Sequence, residues 1–241
     1  MLIYPDWPLP DRVKSCSTTR RGGHSMEPYD SLNLGNHVGD EPARVTANRQ
    51  ALIEMAGLPA MPHWLEQVHG TDVIRLGDEP PASVRGDAVY TDIKGQVCAV
   101  MTADCLPVLF CALNGCEVAA AHAGWRGLHA GVLEETLACF RAQPAQIMAW
   151  LGPAIGPDAF EVGTDVREAF IQHDLAAASA FRPAGNKFFA DIYQLASLRL
   201  RAAGVTKIFG GGACTVSESH KFFSYRRDSI TGRMASLIWL I

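Results

Sequence analysis

The chain has few of the features that would classify it quickly. It has no Cys-x-x-Cys pair, and its seven cysteines are an odd number, so neither a zinc-ribbon pattern nor a fully paired disulfide framework is present. A chain of 241 residues needs no such staples, because it is long enough to bury a core. Cys98, Cys111 and Cys139 stand in apolar runs, as small buried hydrophobes do. No stretch of about 18 uninterrupted apolar residues occurs, which excludes a membrane-spanning helix. The start of the chain, Met1 to Asp6, lacks a basic segment followed by an apolar one. No signal peptide is expected, and the default location is cytoplasmic. The densest basic clusters are the pairs Arg20-Arg21 and Arg226-Arg227, and the net charge is −4. A nucleic-acid partner is therefore not expected, and neither is a membrane partner. Repeats, low-complexity tracts and Gly/Ser-rich spacers are also missing, so residues 1–241 read as a single domain.

What the chain does have is a succession of short apolar runs. Those at 62–68, 73–76, 87–91, 96–103, 106–113 and 116–123 are rich in Val and Ala and bounded by Gly, Asp or Pro, which predicts strands. Further strands are predicted at 13–19, 147–151, 206–210 and 233–241. Asp40 is placed to cap a helix running to about Met55, with Pro42 in its first turn and Gly57 as its stop. Residues 125–141 read as one helix, with Leu128, Val132, Leu133, Leu137 and Phe140 on one face. Helices are also predicted at 163–173 and 191–203, and 30–39 reads as an irregular loop. Strands often follow one another directly. The expected class is therefore a mixed α/β fold of layered mixed sheets with flanking helices, not an alternating βαβ chain.

Three residues fall where predicted strands break into turns: His69, Cys105 and His122. A rigid sheet can aim side chains from several strand ends at one point. One thiolate and two imidazoles suit zinc, and three protein ligands leave a position open for water or substrate, as a catalytic site does. The spacings match no zinc finger, so the signal is positional. The same three residues fit a cysteine hydrolase with Cys105 as nucleophile and a histidine as base, and the two readings stay open. Copper is disfavoured. Met101 is near, but the close Cys-His-Met loop of a blue-copper site is missing, and the eight histidines contain no His-x-His pair. A zinc deaminase of the H-x-E, P-C-x-x-C type is excluded by the absence of both motifs. Gln67 shares a strand face with His69 if 62–68 is a strand, whereas Glu66 does not. Arg20, Arg126, Arg226 and Arg227 are candidates for holding an anionic group, and Asn33 and His37 for contacting substrate.

Several segments carry a resemblance to one family: Thr18-Thr-Arg20-Arg-Gly-Gly23, Ser31-Leu-Asn-Leu-Gly35, Gln67-Val-His-Gly70, Thr102-Ala-Asp-Cys-Leu-Pro107, Ala121-His-Ala-Gly-Trp-Arg-Gly127, Gly152-Pro-Ala-Ile-Gly156, Phe160-Glu-Val-Gly163 and Phe223-Ser-Tyr-Arg-Arg-Asp228 with Thr231-Gly-Arg233. In order and over nearly the whole chain, they resemble the YfiH family, also called the laccase-domain or multicopper polyphenol oxidase family. The resemblance implies a layered mixed-sheet fold related to bacterial toxin cysteine hydrolases, with zinc on His69, Cys105 and His122. It implies phosphate-dependent cleavage of adenosine, inosine and methylthioadenosine, with purine nucleoside and phosphate as substrates, and deamination of adenosine. Some members are linked instead to editing of peptidoglycan precursors, an amide hydrolysis on UDP-MurNAc-Ser.

Overall fold

A computed structural model describes residues 2–241. In chain order the elements are β1 (Leu2–Ile3), β2 (Val13–Thr18), α1 (Pro42–Ala56), β3 (Val73–Leu76), β4 (Ala88–Thr91), β5 (Val97–Thr102), β6 (Leu106–Ala112), β7 (Val118–Ala123), α2 (Trp125–Ala130), α3 (Val132–Leu137), β8 (Ile147–Leu151), β9 (Glu161–Val162), α4 (Thr164–His173), β10 (Phe181–Ala184), β11 (Lys187–Ala190), α5 (Ile192–Ala202), β12 (Lys207–Gly210), α6 (Tyr225–Asp228) and β13 (Met234–Leu240). They form a six-stranded sheet in the order β12-β8-β6-β7-β4-β3, a four-stranded sheet in the order β1-β2-β13-β5, and a small sheet β10-β11-β9. Among these strands, β12–β8 and β3–β4 pair in parallel and the other pairs are antiparallel. The mixed, layered class expected from the sequence is what is found.

The strands at the centre are apolar on both faces because both faces are covered. In β6, Leu106, Val108 and Phe110 point into a core shared with the helices, including Leu128 and Leu133. The intervening Leu109 and Cys111 point the other way and meet Val100 of β5 and Ile238 of β13 in a second core between the two large sheets. The outer face of the four-stranded sheet (Ala99, Met101, Leu237, Trp239) packs on Leu52 of α1. The order of layers is helix, sheet, sheet, helices. Among the described residues no helix is long and apolar enough to cross a membrane.

The differences from the expected elements have local causes. Residues 62–68 form no strand; this stretch makes only an isolated bridge between Glu66 and Arg85, and its polar groups are met by loop contacts described below. The helix expected over 125–141 is broken at Gly131, whose φ of 106° ends α2 in a left-handed turn before α3 begins. Asp40 does not cap α1. Glu41 holds the N-cap position, and the Asp40 carboxylate accepts hydrogen bonds from Ser25 Oγ, Asn33 Nδ2 and the Glu41 amide. Gly57 ends α1 with φ 60°, as its position suggested. The two-residue strands β1 and β9, the β10–β11 hairpin and the four-residue α6 carry no periodicity long enough to read.

Candidate active site and metal centre

Cys105 lies in the tight turn from β5 to β6, and His122 is the fifth residue of β7, next to β6 and paired with Pro107. His69 belongs to an irregular loop and has φ 61°, a left-handed conformation uncommon for a non-glycine residue. The group that holds this turn is Asp87. Its fully buried carboxylate accepts the backbone N–H groups of Val68, His69 and Gly70 at 3.1, 2.9 and 2.7 Å. The same carboxylate lies 2.8 Å from His122 Nδ1. One side chain at the start of β4 therefore shapes the His69 turn and orients the His122 ring, leaving His122 Nε2 to face the other two residues. Burial pushes the Asp87 carboxyl up, but the hydrogen bonds from His122, Gly70 and Val68 outweigh it and hold the group below the usual carboxylate range.

The three donor atoms lie within 4.8 Å of one another, with Cys105 Sγ 3.9 Å from His69 Nε2. The imidazole rings cross edge to face at 4.8 Å between centroids. A tetrahedral zinc with ordinary Zn–S and Zn–N bonds spaces such donors about 3.5 Å apart, so the group fits with shifts smaller than a bond length. Gly124 forms the cradle wall: a Cβ there would meet His69 Cδ2 at 2.9 Å and Cys105 Sγ at 3.0 Å. Gly127 allows α2 to lie against the same turn, since its Cβ would meet the Gly70 carbonyl oxygen at 2.9 Å. A histidine fastened through its far nitrogen to a carboxylate is the usual support of a metal-binding imidazole.

Electrostatics prepare the thiol as well. Burial raises the Cys105 pKa, but the neighbouring His122 and His69 outweigh it and bring the value down to about 6. Burial disfavours the charged His122 ring, yet Cys105 and Asp87 raise its pKa to about 9. Without metal, thiolate beside imidazolium is the favoured pair. Cys16, Cys98 and Cys111, buried away from any cation, are pushed up by desolvation instead.

Two cavities meet over this cluster. One, of about 310 Å³, is lined by His37, Gln67, Met101, Thr102, Tyr225 and Arg233 beside the three donors. The other, of about 330 Å³, is lined by Trp125, Arg126, Phe160, Tyr225, Arg226 and Asp104 beside His69 and Cys105. Tyr225 borders both. Gln67 is locked by Met101, whose N–H donates to its Oε1 at 2.7 Å and whose carbonyl accepts from its Nε2 at 2.8 Å. It thus shares a wall with His69, although the strand geometry that predicted this is absent. Partial burial, and the neighbouring Arg233 and Arg49, push the His37 pKa down.

Of the remaining candidates, Arg126 and Arg226 reach the second cavity. Arg126 stacks on Trp125 at 4.5 Å, and Arg226 lies 5.8 Å over Phe160 and donates to the Ala159 and Glu161 carbonyls. No carboxylate pairs with either among the described residues. Arg20 does not line these cavities. It pairs with Asp30 at 3.0 Å, packs over Phe223 and borders a separate surface cleft of about 600 Å³. Asn33 is fully buried, and its amide is spent on Gly35, Asp40 and the Arg233 backbone N–H. Arg227 is likewise consumed by Asp228 and three carbonyls. Sequence reasoning overlooked Asp87. Asp104, Tyr225 and Arg233 stood in quoted motifs without being given a role. The signal for Asp87 was faint, an Asp directly before an apolar strand.

The chain is similar over almost its full length to known proteins. Residues 14–241 match the family model described as multi-copper polyphenol oxidoreductase laccase. The chain is 63% identical over 240 residues to purine nucleoside phosphorylase YfiH of Escherichia coli (strain K12), covering 100% of this chain and 99% of that one. It is 54% identical to a purine nucleoside phosphorylase of Pseudomonas aeruginosa, covering 99% and 98%. Among solved structures, a Neisseria meningitidis protein assigned to the DUF152 family model superposes with a TM-score of 0.94 at 52% identity, covering 99% and 98%. The hypothetical protein YfiH of Bacillus licheniformis superposes with a TM-score of 0.90 at 31% identity, covering 96% and 94%.

Proposed function

The chain belongs to the YfiH, or laccase-domain, family, and from that membership and the geometry of its site we propose that it is a zinc-dependent purine nucleoside phosphorylase. The substrates are adenosine, inosine and methylthioadenosine, and the same site deaminates adenosine. The observation that carries this reading is the convergence of His69, Cys105 and His122 under two adjoining cavities. Purine nucleoside phosphorylase is the name borne by the relatives above.

Zinc held by the three residues would supply a Lewis acid beside the reacting atoms. The chain's own groups divide the two substrates. Arg126 and Arg226, cations without carboxylate partners, suit phosphate, and fork-shaped guanidiniums can orient it bidentately. The Arg233 guanidinium, the His37 ring, the Gln67 amide and Met101 offer polar groups and an apolar wall to a purine base. In phosphorolysis the C1′–N bond of the nucleoside breaks, a C1′–O bond to phosphate forms, and the free base departs. Holding both partners at the Cys105 junction converts an encounter of two molecules into a step within one complex. Copper oxidase chemistry finds no support in a site of two histidines and one cysteine without a paired His-x-His set.

The test is metal analysis coupled to product identification. Native protein incubated with inosine and phosphate should give hypoxanthine and ribose 1-phosphate, and adenosine without phosphate should give inosine. Cys105→Ala should lose metal and turnover together. Full turnover by metal-free wild-type protein would remove zinc from the mechanism.

One observation favours a second reading. A thiol with its pKa near 6 beside a histidine is also the pair that a cysteine hydrolase uses. Under that reading the substrate is an amide such as UDP-MurNAc-Ser. Release of serine from it, faster than any turnover of adenosine, would select the hydrolase.

A further inference from the structure

Asp104, the residue before Cys105, is 8% exposed and adopts φ 89°, in the left-handed region where a non-glycine side chain is strained. Its carboxylate is not aimed at the three donors. Oδ1 accepts from the hydroxyl of the fully buried Thr215 at 2.5 Å, and Oδ2 accepts from the backbone N–H of Arg226 at 2.6 Å. Its backbone carbonyl accepts the Ile155 N–H at 2.9 Å. Three loops far apart in sequence, around 155, 215 and 226, are thereby fastened to the turn that carries Cys105. Ile155 and Arg226 line the cavity that holds Arg126, and the Thr215 carbonyl accepts from Arg227 Nη1 at 2.7 Å, next to Arg226.

The bond to Arg226 matters most. Helix α6 has only four residues, too few to be stable alone. It is held at its start by two side chains: Ser224 Oγ accepts the Arg227 N–H at 3.2 Å, and Asp104 takes the Arg226 N–H. Tyr225 and Arg226, which face the cavities, sit on that single turn. We infer that Asp104 is a positioning residue: it tethers the Tyr225–Arg226 turn to the Cys105 loop and so sets where phosphate is held relative to the three donors. This rests on the assignment of phosphate to Arg126 and Arg226 above.

The tether is made of two accepted hydrogen bonds, so the isosteric Asp104→Asn can rebuild it. The amide oxygen would take the Arg226 N–H, and the amide nitrogen would donate to Thr215 Oγ1. Asp104→Ala cannot. Steady-state kinetics with inosine and phosphate should show the KM for phosphate in Asp104→Ala rising by on the order of tenfold to a hundredfold. The KM for inosine and the zinc content should stay near wild type. Asp104→Asn should recover most of the phosphate affinity, and Thr215→Val should show a smaller defect of the same kind. Amide exchange over residues 224–229 should be faster in Asp104→Ala than in wild type and slower again in Asp104→Asn. An unchanged phosphate KM together with unchanged exchange in Asp104→Ala would overturn the inference. So would zinc loss as the main defect, or an Asn variant as impaired as the Ala variant. If wild-type protein performs no phosphorolysis, the proposed function fails by itself, and the exchange comparison still decides whether Asp104 holds the turn.

Discussion

Asp87 does more for the site than its single charge suggests. Four hydrogen bonds converge on one buried carboxylate, three from the backbone of the His69 turn and one from His122. Asp87→Asn replaces one acceptor oxygen with a donor, so at least one N–H group loses its partner and the His122 ring loses its fixed orientation. Zinc affinity should fall by roughly 10- to 100-fold, the usual cost of removing such a support, as measured by chelator competition. A variant that binds zinc as wild type does would show that the ligands hold their own geometry. The Cys105 thiol gives a second test. Its pKa is lowered from 9.0 to about 6, so the reactive thiolate already predominates at pH 7 and is lost as pH falls through 6. In metal-free protein, alkylation of Cys105 followed by peptide mass spectrometry should show a rate that rises with pH through a midpoint near 6. Replacing His122 by Asn removes the main cation and should move that midpoint upward. A midpoint near 9 in wild-type protein would deny the thiolate–imidazolium pair.

Two elements are defined by glycines that do different things. Gly131 separates α2 from α3 with φ 106°, a conformation that costs an L-residue about 1–2 kcal/mol. Gly131→Ala should lower unfolding free energy by about that amount in urea titration, while activity per folded molecule stays the same, because the residue lines neither cavity. Gly124 restricts space instead of backbone angle. Its Cα faces His69 and Cys105 so closely that a methyl group would fall 2.9–3.0 Å from both. Gly124→Ala should therefore weaken metal binding much more than it lowers stability, the reverse of Gly131→Ala. Comparing melting temperature and zinc content of the two variants tests that contrast.

At the scale of the molecule, the site exists only because the layers stack. His69 comes from a loop beside β3, Cys105 from the turn leaving the four-stranded sheet, and His122 from the middle of the six-stranded one. A metal bridging the three would bind the folded chain and not the unfolded one. At a zinc concentration of about 100 times its Kd the fold should gain roughly 2.7 kcal/mol. Urea titration with and without zinc should show that gain in wild-type protein and not in Cys105→Ala; equal gains would place the stabilising ion elsewhere.

What the sequence determined by itself follows from periodicity and punctuation. The twice-covered strands from 88 to 123 announce themselves as unbroken apolar runs, and helices α1 and α5 are marked by their punctuation, Pro42 and Gly57 around the first and Gly204 after the second. The same patterning put Cys105 and His122 where apolar strands break into turns. Residues 62–68 look like a strand, yet the chain there spends its polar groups on Asp87 and Met101 instead of on a ladder. Asn33 and Arg20 carry the chemistry of ligand contacts, but partners within the chain claim them both. Such competition is invisible to periodicity, which reports no specific partner: Asp87 is 18 positions from His69, and Arg233 is 200 from Asn33. Tertiary structure alone decided that His69 would be twisted toward Cys105, that Asp87 and Asp104 would fasten the surrounding loops, and that Tyr225 would stand between two cavities. Those outcomes depend on hydrogen bonds between distant segments, and such bonds form only after the apolar layers have brought the segments together.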